Sequence, residues 1–198
     1  MAKIFNILGL IVFLASCGTT ISTFPTSDAD KMGVKSNRFR GTAFSRSYRT
    51  HNLLVDTLNR FTPTQEDIAL AEWILRHEIG KANKARINQF GQYPFIDRSL
   101  HKYFRQYIGV FAPNGDLIIE VNLHWDRVTL FDRVRGHWDG RLDYSSDYSV
   151  TLDGGSRYWQ VGVNLTTRTL SGLSINGVAA RKTAYNIGYP SLRATNRN

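Results

Sequence analysis

The spacing of apolar residues changes from a helical to an extended period part-way along this chain, and that change limits the folds open to it. Ile68, Ala71, Leu75 and Ile79 recur three or four residues apart, with Ile74 widening the stripe, as on the buried face of an amphipathic helix. Thr62-Pro63-Thr64-Gln65 supplies a start, with Thr62 as N-cap, Pro63 at the first helical position and Gln65 completing a capping box. The helix is predicted to run to about Ile79 and through Gly80 towards Ile87. Glu66, Asp67 and Glu72 fall in its early turns, where acids favour the helix dipole. A weaker helix is predicted within residues 44–60, around Leu53, Leu54 and Leu58.

From Tyr103 the period is two. Tyr103, Arg105, Tyr107 and Gly109 alternate with Phe104, Gln106, Ile108 and Val110, Ala112-Pro113-Asn114-Gly115 makes a turn, and Leu117 to Leu123 resumes a β-rich run; together these predict a hairpin. A second hairpin is predicted from Tyr148 to Leu152, the turn Asp153-Gly154-Gly155, and a strand with Trp159, Val161, Val163 and Leu165 on one face and Tyr158, Gln160, Gly162 and Asn164 on the other. Thr166-Thr167-Arg168 then turns into Leu170 to Ile175, ended by Asn176-Gly177. Helix first and strands afterwards predict an α+β fold, with one or two N-terminal amphipathic helices packed on a four-stranded antiparallel β-meander. A small β-barrel with a covering helix is the alternative.

The N-terminus reads as an export signal: Lys3, then an apolar run of twelve residues from Ile4 to Ala15, then small residues before Cys17. A membrane-spanning helix needs about 20 apolar residues, so this run is too short to span. Leu14-Ala15-Ser16-Cys17 resembles the lipobox of bacterial lipoproteins, with the four residues where that pattern has them. The resemblance covers residues 1–17. It implies a signal peptide over 1–16 and a Cys17 that carries lipid on sulfur and, after cleavage, an acyl group such as palmitate on its amino group. Gly18, rather than Asp, follows the cysteine, which by the same resemblance implies the outer membrane, facing the periplasm, if the host has one. Residues 17–37, rich in Thr, Ser, Gly and Asp, read as the lipidated cysteine and a flexible tether spanning about 25 Å, and 38–198 as a single globular domain. Cys17 is the chain's one cysteine, so no internal disulfide can form and the domain must hold by apolar burial, which a chain of this length supports. The helix-and-meander order over about 62–178 also resembles the cystatin-like α+β sheets of small envelope lipoproteins, a likeness of pattern that carries over no functional residue.

Charge bears on partners. Cleavage would remove Lys3 and leave 24 basic against 16 acidic residues, a net of +8. A basic domain held at a membrane attracts anionic head groups or an anionic envelope polymer. Export and the lack of RNP-like or zinc-finger patterns exclude nucleic acid as the partner. The basic residues form no single block: Arg38, Arg40, Arg46 and Arg49, then Arg127, Arg133, Arg135 and Arg141, then Arg181, Lys182, Arg193 and Arg197. A spread of this kind keeps a protein soluble.

Catalytic patterns are largely missing. His77-Glu78 begins like a zinc-protease helix, but Lys81 stands where the second histidine belongs. There is no Gly-x-Ser-x-Gly elbow and no phosphate loop ending in Lys-Ser or Lys-Thr. No catalytic residue is assigned and no cofactor is implied. One constellation remains: His124-Trp125-Asp126 recurs thirteen residues on as His137-Trp138-Asp139. Brought together by a hairpin or long loop, His124, Asp126, His137 and Asp139 can ligate a divalent metal, and the tryptophans and nearby arginines can stack on a sugar or clamp an anion. Equally, His124 can end one strand and His137 begin another, with each tryptophan packed on a sheet edge. Three functions follow. The first is a non-catalytic envelope module that binds a protein or an anionic polymer through an exposed sheet surface bearing Tyr103, Tyr107, Trp125, Trp138, Tyr158 and Gln160. The second is a metal-binding protein or hydrolase built on the His/Asp set. The third is a structural subunit of a surface or secretion assembly.

Overall fold

A computed structural model describes residues 20–50, 58–91, 93–127, 134, 143–151 and 153–177. Eight strands form one mixed sheet. β1 (Ile21–Pro25), β2 (Lys31–Ser36) and β3 (Arg40–Phe44) make an antiparallel meander. β5 (Tyr103–Phe111), β6 (Leu117–Trp125), β7 (Tyr158–Asn164) and β8 (Thr169–Ile175) make another. A parallel seam joins them, with Gly41 opposite Arg105 and Phe44 opposite Ile108. The two-residue β4 (Arg60–Phe61) continues along the same edge of β5, opposite Val110 and Gly109. Parallel neighbours need a long crossover, and here it carries β4, helix α1 (Gln65–Ala82) and the short α2 (Ile96–Ser99).

This architecture corrects the predicted one of helices on a four-stranded meander. Three strands precede α1, the sheet is mixed, and it has twice the predicted strands. It is also not a barrel, because β1 and β8 end the strand order unpaired with each other. Residues 21–36, predicted as part of a tether, are β1 and β2. Their Ser, Thr and Lys content fits outer strands, where only Ile21, Gly33 and Val34 are buried. The predicted strand from Tyr148 does not form; residues 143–151 fold over the sheet instead, and β6 pairs directly with β7. Of the weaker helix predicted within 44–60, residues 51–57 lie outside the described set, while Phe44 belongs to β3 and Arg60 to β4.

α1 begins two residues later than predicted. Thr64 is the N-cap: its hydroxyl accepts from Asp67 N at 3.1 Å, and the Asp67 carboxylate accepts from Thr64 N at 2.9 Å. Thr62 accepts from Arg46 N instead, at 3.0 Å. Gln65 Oε1 accepts from Thr23 N at 3.0 Å, which ties the first turn of α1 to β1. The helix ends at Asn83, whose N–H reaches Ile79 O at 2.9 Å. Among the described residues no helix is long and apolar enough to cross a membrane.

Ile68, Ala71, Ile74, Leu75 and Ile79 of α1 pack on Tyr103, Tyr107, Val121, Leu123, Trp159 and Val161. α1 touches β1 as well as β6, β7 and β8, so the sheet curves around the helix from one edge to the other. A second, smaller core of Phe44, Tyr48, Ile108 and Tyr148 lies on the opposite face. The central strand β5 is therefore buried on both faces over seven consecutive residues.

Two glycines separate these constraints. A Cβ on Gly41 would stand 2.6 Å from the Arg105 carbonyl across the parallel seam, so Gly41→Ala is expected to destabilise by about 1–3 kcal/mol. A Cβ on Gly80, on the exposed face of α1, meets nothing within 4 Å, so Gly80→Ala is expected to stabilise by about 0.5–1 kcal/mol. Urea unfolding midpoints of the two variants check both signs.

Candidate functional site

β6 sends Ile119, Val121 and Leu123 towards α1, and the intervening Asn122 and His124 to the other face, where both are buried. Gln106 of β5 organises that face. Its Nε2 donates to the carbonyls of Tyr144 and Asp147, each at 2.7 Å. Its Oε1 accepts from Asn122 Nδ2 at 3.2 Å, Ser149 N at 3.2 Å and His124 Nε2 at 3.1 Å. The two carbonyls fix which end of the amide is nitrogen, so the proton of His124 sits on Nε2. The imidazole stacks on Tyr144, centroids 4.3 Å apart, with Tyr158 edge-on at 5.8 Å. Burial lowers its pKa to about 4. His124 is thus a neutral ring inside a polar clasp that seats residues 143–151 on the sheet. Its Nδ1 is buried and lacks a hydrogen-bond partner among the described residues.

The other half of the motif diverges. Asp126 receives Arg40 Nε and one terminal nitrogen, both at 3.0 Å. His137, Trp138 and Asp139 lie outside the described residues, as does Cys17. Among the described residues no three His, Cys, Asp or Glu side chains are grouped to hold a metal. Tyr103 and Tyr107, predicted on an exposed surface, are instead in the core beneath α1. Their hydroxyls donate to Ser156 O at 2.6 Å and to Glu72 Oε1 at 2.9 Å. Tyr158 and Trp125 are half-buried.

A different cluster is built around Glu72, an acid that α1 carries into the core. Arg105 Nε meets Glu72 Oε1 at 2.6 Å, and both side chains are almost wholly buried. The remaining guanidinium nitrogens donate to Tyr103 O at 2.7 Å and Leu100 O at 2.9 Å, and the group lies 3.6 Å from the Phe39 ring centroid. This pair lines a cavity of about 150 Å³ that also draws on Arg38, Arg76, Arg98 and His101. Each comes from a separate segment: Arg38 from the β2–β3 turn, Arg76 from α1 one turn beyond Glu72, Arg98 from α2, and His101 from the 3-10 turn Leu100–Lys102. The second acid here, Asp97, accepts from Asn83 Nδ2 at 3.1 Å and faces Arg86 at 4.0 Å. Arg38 and Arg76 make no ion pair among the described residues. The pKa of His101 is lowered by desolvation and then by Lys102, Arg127, Arg38 and Arg105, which marks a positive field at this end of the sheet.

The larger concavity, about 350 Å³, lies at the opposite end of β2 among Phe24, Pro25, Met32, Phe44 and Pro63. It is mainly apolar, whereas the smaller cavity gathers guanidinium forks suited to phosphate or carboxylate. The smaller cavity leaves no sequence signal because Arg38, Arg76 and the Arg98–His101 segment lie more than twenty residues from one another and share no motif. Comparison of the chain with protein-family models, with curated proteins and with solved structures gave no match.

Two outcomes follow from these environments. The unfolded His124 imidazole takes a proton near 6.5 and the folded one only near 4. Between those values the unfolded chain binds more protons, so stability falls as pH drops through the window, by about 3 kcal/mol, and His124 adds no slope outside it. Burial raises the pKa of Glu120 on the same strand, which acts with the opposite sign; comparing wild type with His124→Gln by urea unfolding across pH 4–7 isolates the histidine. Glu72→Gln should cost about 3–5 kcal/mol, because it leaves Arg105 charged and buried without its partner, and thermal or urea unfolding reads the loss.

Proposed function

We propose that this chain is a lipid-anchored, non-catalytic protein of the bacterial envelope, whose folded domain binds an anionic envelope component through the basic end of its sheet. The observation that carries this reading is the gathering of Arg38, Arg76, Arg98 and Arg105 with His101 around one cavity, where Lys102 and Arg127 add to the positive field on His101. The acids close by are already engaged, Glu72 by Arg105 and Asp126 by Arg40. Trp125 lies alongside, with Lys102 Nζ 5.6 Å from its ring centroid, and adds an amphipathic side chain of the kind enriched at interfaces.

Chain geometry supports the same reading. β1 starts at Ile21, opposite Ser36, next to the turn that bears Arg38. Four residue steps separate Ile21 from Cys17, a reach of at most about 14 Å. A lipidated Cys17 would therefore hold the basic end, rather than the apolar concavity, close to the bilayer. Each well-placed basic side chain near an anionic surface is worth about 1 kcal/mol.

Cys17→Ser should move the protein out of the membrane fraction or leave the precursor unprocessed; a variant that fractionates as wild type does would refute the anchor. Binding to an anionic polymer such as heparin should weaken steeply with added salt, since exposed charges are screened over about 8–10 Å at physiological ionic strength.

A further inference from the structure

Building on the reading of an anchored, anion-binding domain, we infer that the cavity between Arg38, Arg76, Arg98 and His101 receives the phosphate of an anionic phospholipid head group from the membrane that holds the anchor. Three observations converge on this occupant. The first is donor chemistry: three exposed arginines surround a floor already neutralised by the Arg105–Glu72 pair. While Arg98 lies over the Phe95 ring, 5.3 Å from its centroid, its in-plane N–H groups and the forks of Arg38 and Arg76 are left for a ligand. Forked N–H groups match the paired oxygens of a phosphate. The second is size. About 150 Å³ admits one compact head-group anion and excludes a folded partner.

The third is position. Ile21 pairs with Ser36 at the end of β2 that leads into Arg38, so the chain enters the domain beside the cavity. The four residue steps back to Cys17 cannot carry that end farther than about 14 Å from an acylated cysteine. The field also has few opponents there. From β2–β3 comes Arg38, from α1 Arg76 and the paired Glu72, from α2 Arg98 and the engaged Asp97, from the 3-10 turn Lys102, from β5 Arg105, and after β6 Arg127 and Asp126, the latter engaged by Arg40. His101, in the middle, is therefore a reporter. Its proton affinity is held down by desolvation and by these cations, and an anion among them reverses the sign of its surroundings.

The test places the full-length lipidated chain in nanodiscs and follows His101 by NMR, with assignment by His101→Gln. Replacing phosphatidylcholine by phosphatidylglycerol should raise the His101 pKa by about one unit, the response to an opposite charge within a few ångströms. Arg38→Ala combined with Arg76→Ala, both exposed positions, should abolish that rise while leaving the unfolding midpoint within the range of surface substitutions. An equal pKa in the two lipids, or a rise that survives the double variant, overturns the inference. Inorganic phosphate added to phosphatidylcholine discs should shift His101 in the same direction, with an affinity on the order of tenfold weaker in the double variant. A shift with free phosphate but none with phosphatidylglycerol overturns the lipid source, and an equal shift with acetate overturns the phosphate class. Because heparin binding and Cys17→Ser fractionation are read separately, a failed His101 response with those two intact removes the head-group site and leaves the anchored, anion-binding domain standing.

Discussion

The buried contact between Glu72 and Arg105 is the constraint around which the rest of the molecule is arranged. Two charges taken out of water cost several kcal/mol each unless their hydrogen-bonding capacity is met. Here it is met from three directions: Glu72 accepts from Arg105 and Tyr107, and Arg105 also reaches the carbonyls of Tyr103 and Leu100. Only one placement of α1 over β5 meets all of these at once. A slide of one helical turn would put Ile68 or Arg76 where Glu72 stands and leave Arg105 buried and unpaired. The apolar stripe of α1 supplies attraction without direction, and the ion pair supplies the register.

That register explains why the central strand β5 offers a partner no open face. On one side α1 covers β5 to β8 and reaches β1. On the other, Gln106, Asn122 and His124 hold residues 143–151 down, while Arg60 donates to Tyr48 O at 2.8 Å and secures the turn after β3. The polar clasp is a substitute for a second helical layer. It joins loop backbone to the sheet through side-chain amides, which is why so many polar groups on β5 and β6 are buried. A binding surface is then left to the outer strands, edges and ends, and at the end beside His101 the basic side chains Arg38, Lys102, Arg105 and Arg127 act together.

How much of this was legible in the sequence follows from how local each signal is. The stripe from Ile68 to Ile79 and the turns at Asn114-Gly115 and Thr167-Arg168 are local, and the helix and the β5–β6 and β7–β8 hairpins are where those patterns put them. The capping box slipped by two residues because Thr62 and Thr64 offer the same hydroxyl, and only three-dimensional packing assigns Gln65 to Thr23 instead of to the helix's own start. β1 and β2 have the composition of a tether because outer strands need few apolar residues; Ile21 and Val34 suffice once α1 lies beside them. The β3–β5 seam pairs residues more than sixty positions apart and leaves no periodic trace. Period two correctly separated Tyr103 and Tyr107 from Gln106 but could not tell which face was outside, because both are covered. The arginine cavity was illegible for the same reason as the seam: its members come from four segments.

The placement of the chain's entry next to that cavity changes what affinity the cavity requires. Arginines at an exposed rim are hydrated and screened, and a phosphate bound by them from free solution gains little. A head group beside an anchored domain is a different case, because the second contact is intramolecular and its effective concentration is of millimolar order for a short linker. If Cys17 is lipidated as proposed, a cavity of weak affinity for a soluble anion would be occupied far more fully at the membrane surface. Its occupation would in turn fix the tilt of the domain, since one end would be held both by the short span between a lipidated Cys17 and Ile21 and by the basic cluster around His101. In that arrangement the edge strands β1 and β8 would stand at fixed angles to the bilayer, and orientation, more than added affinity, is what the cluster would contribute.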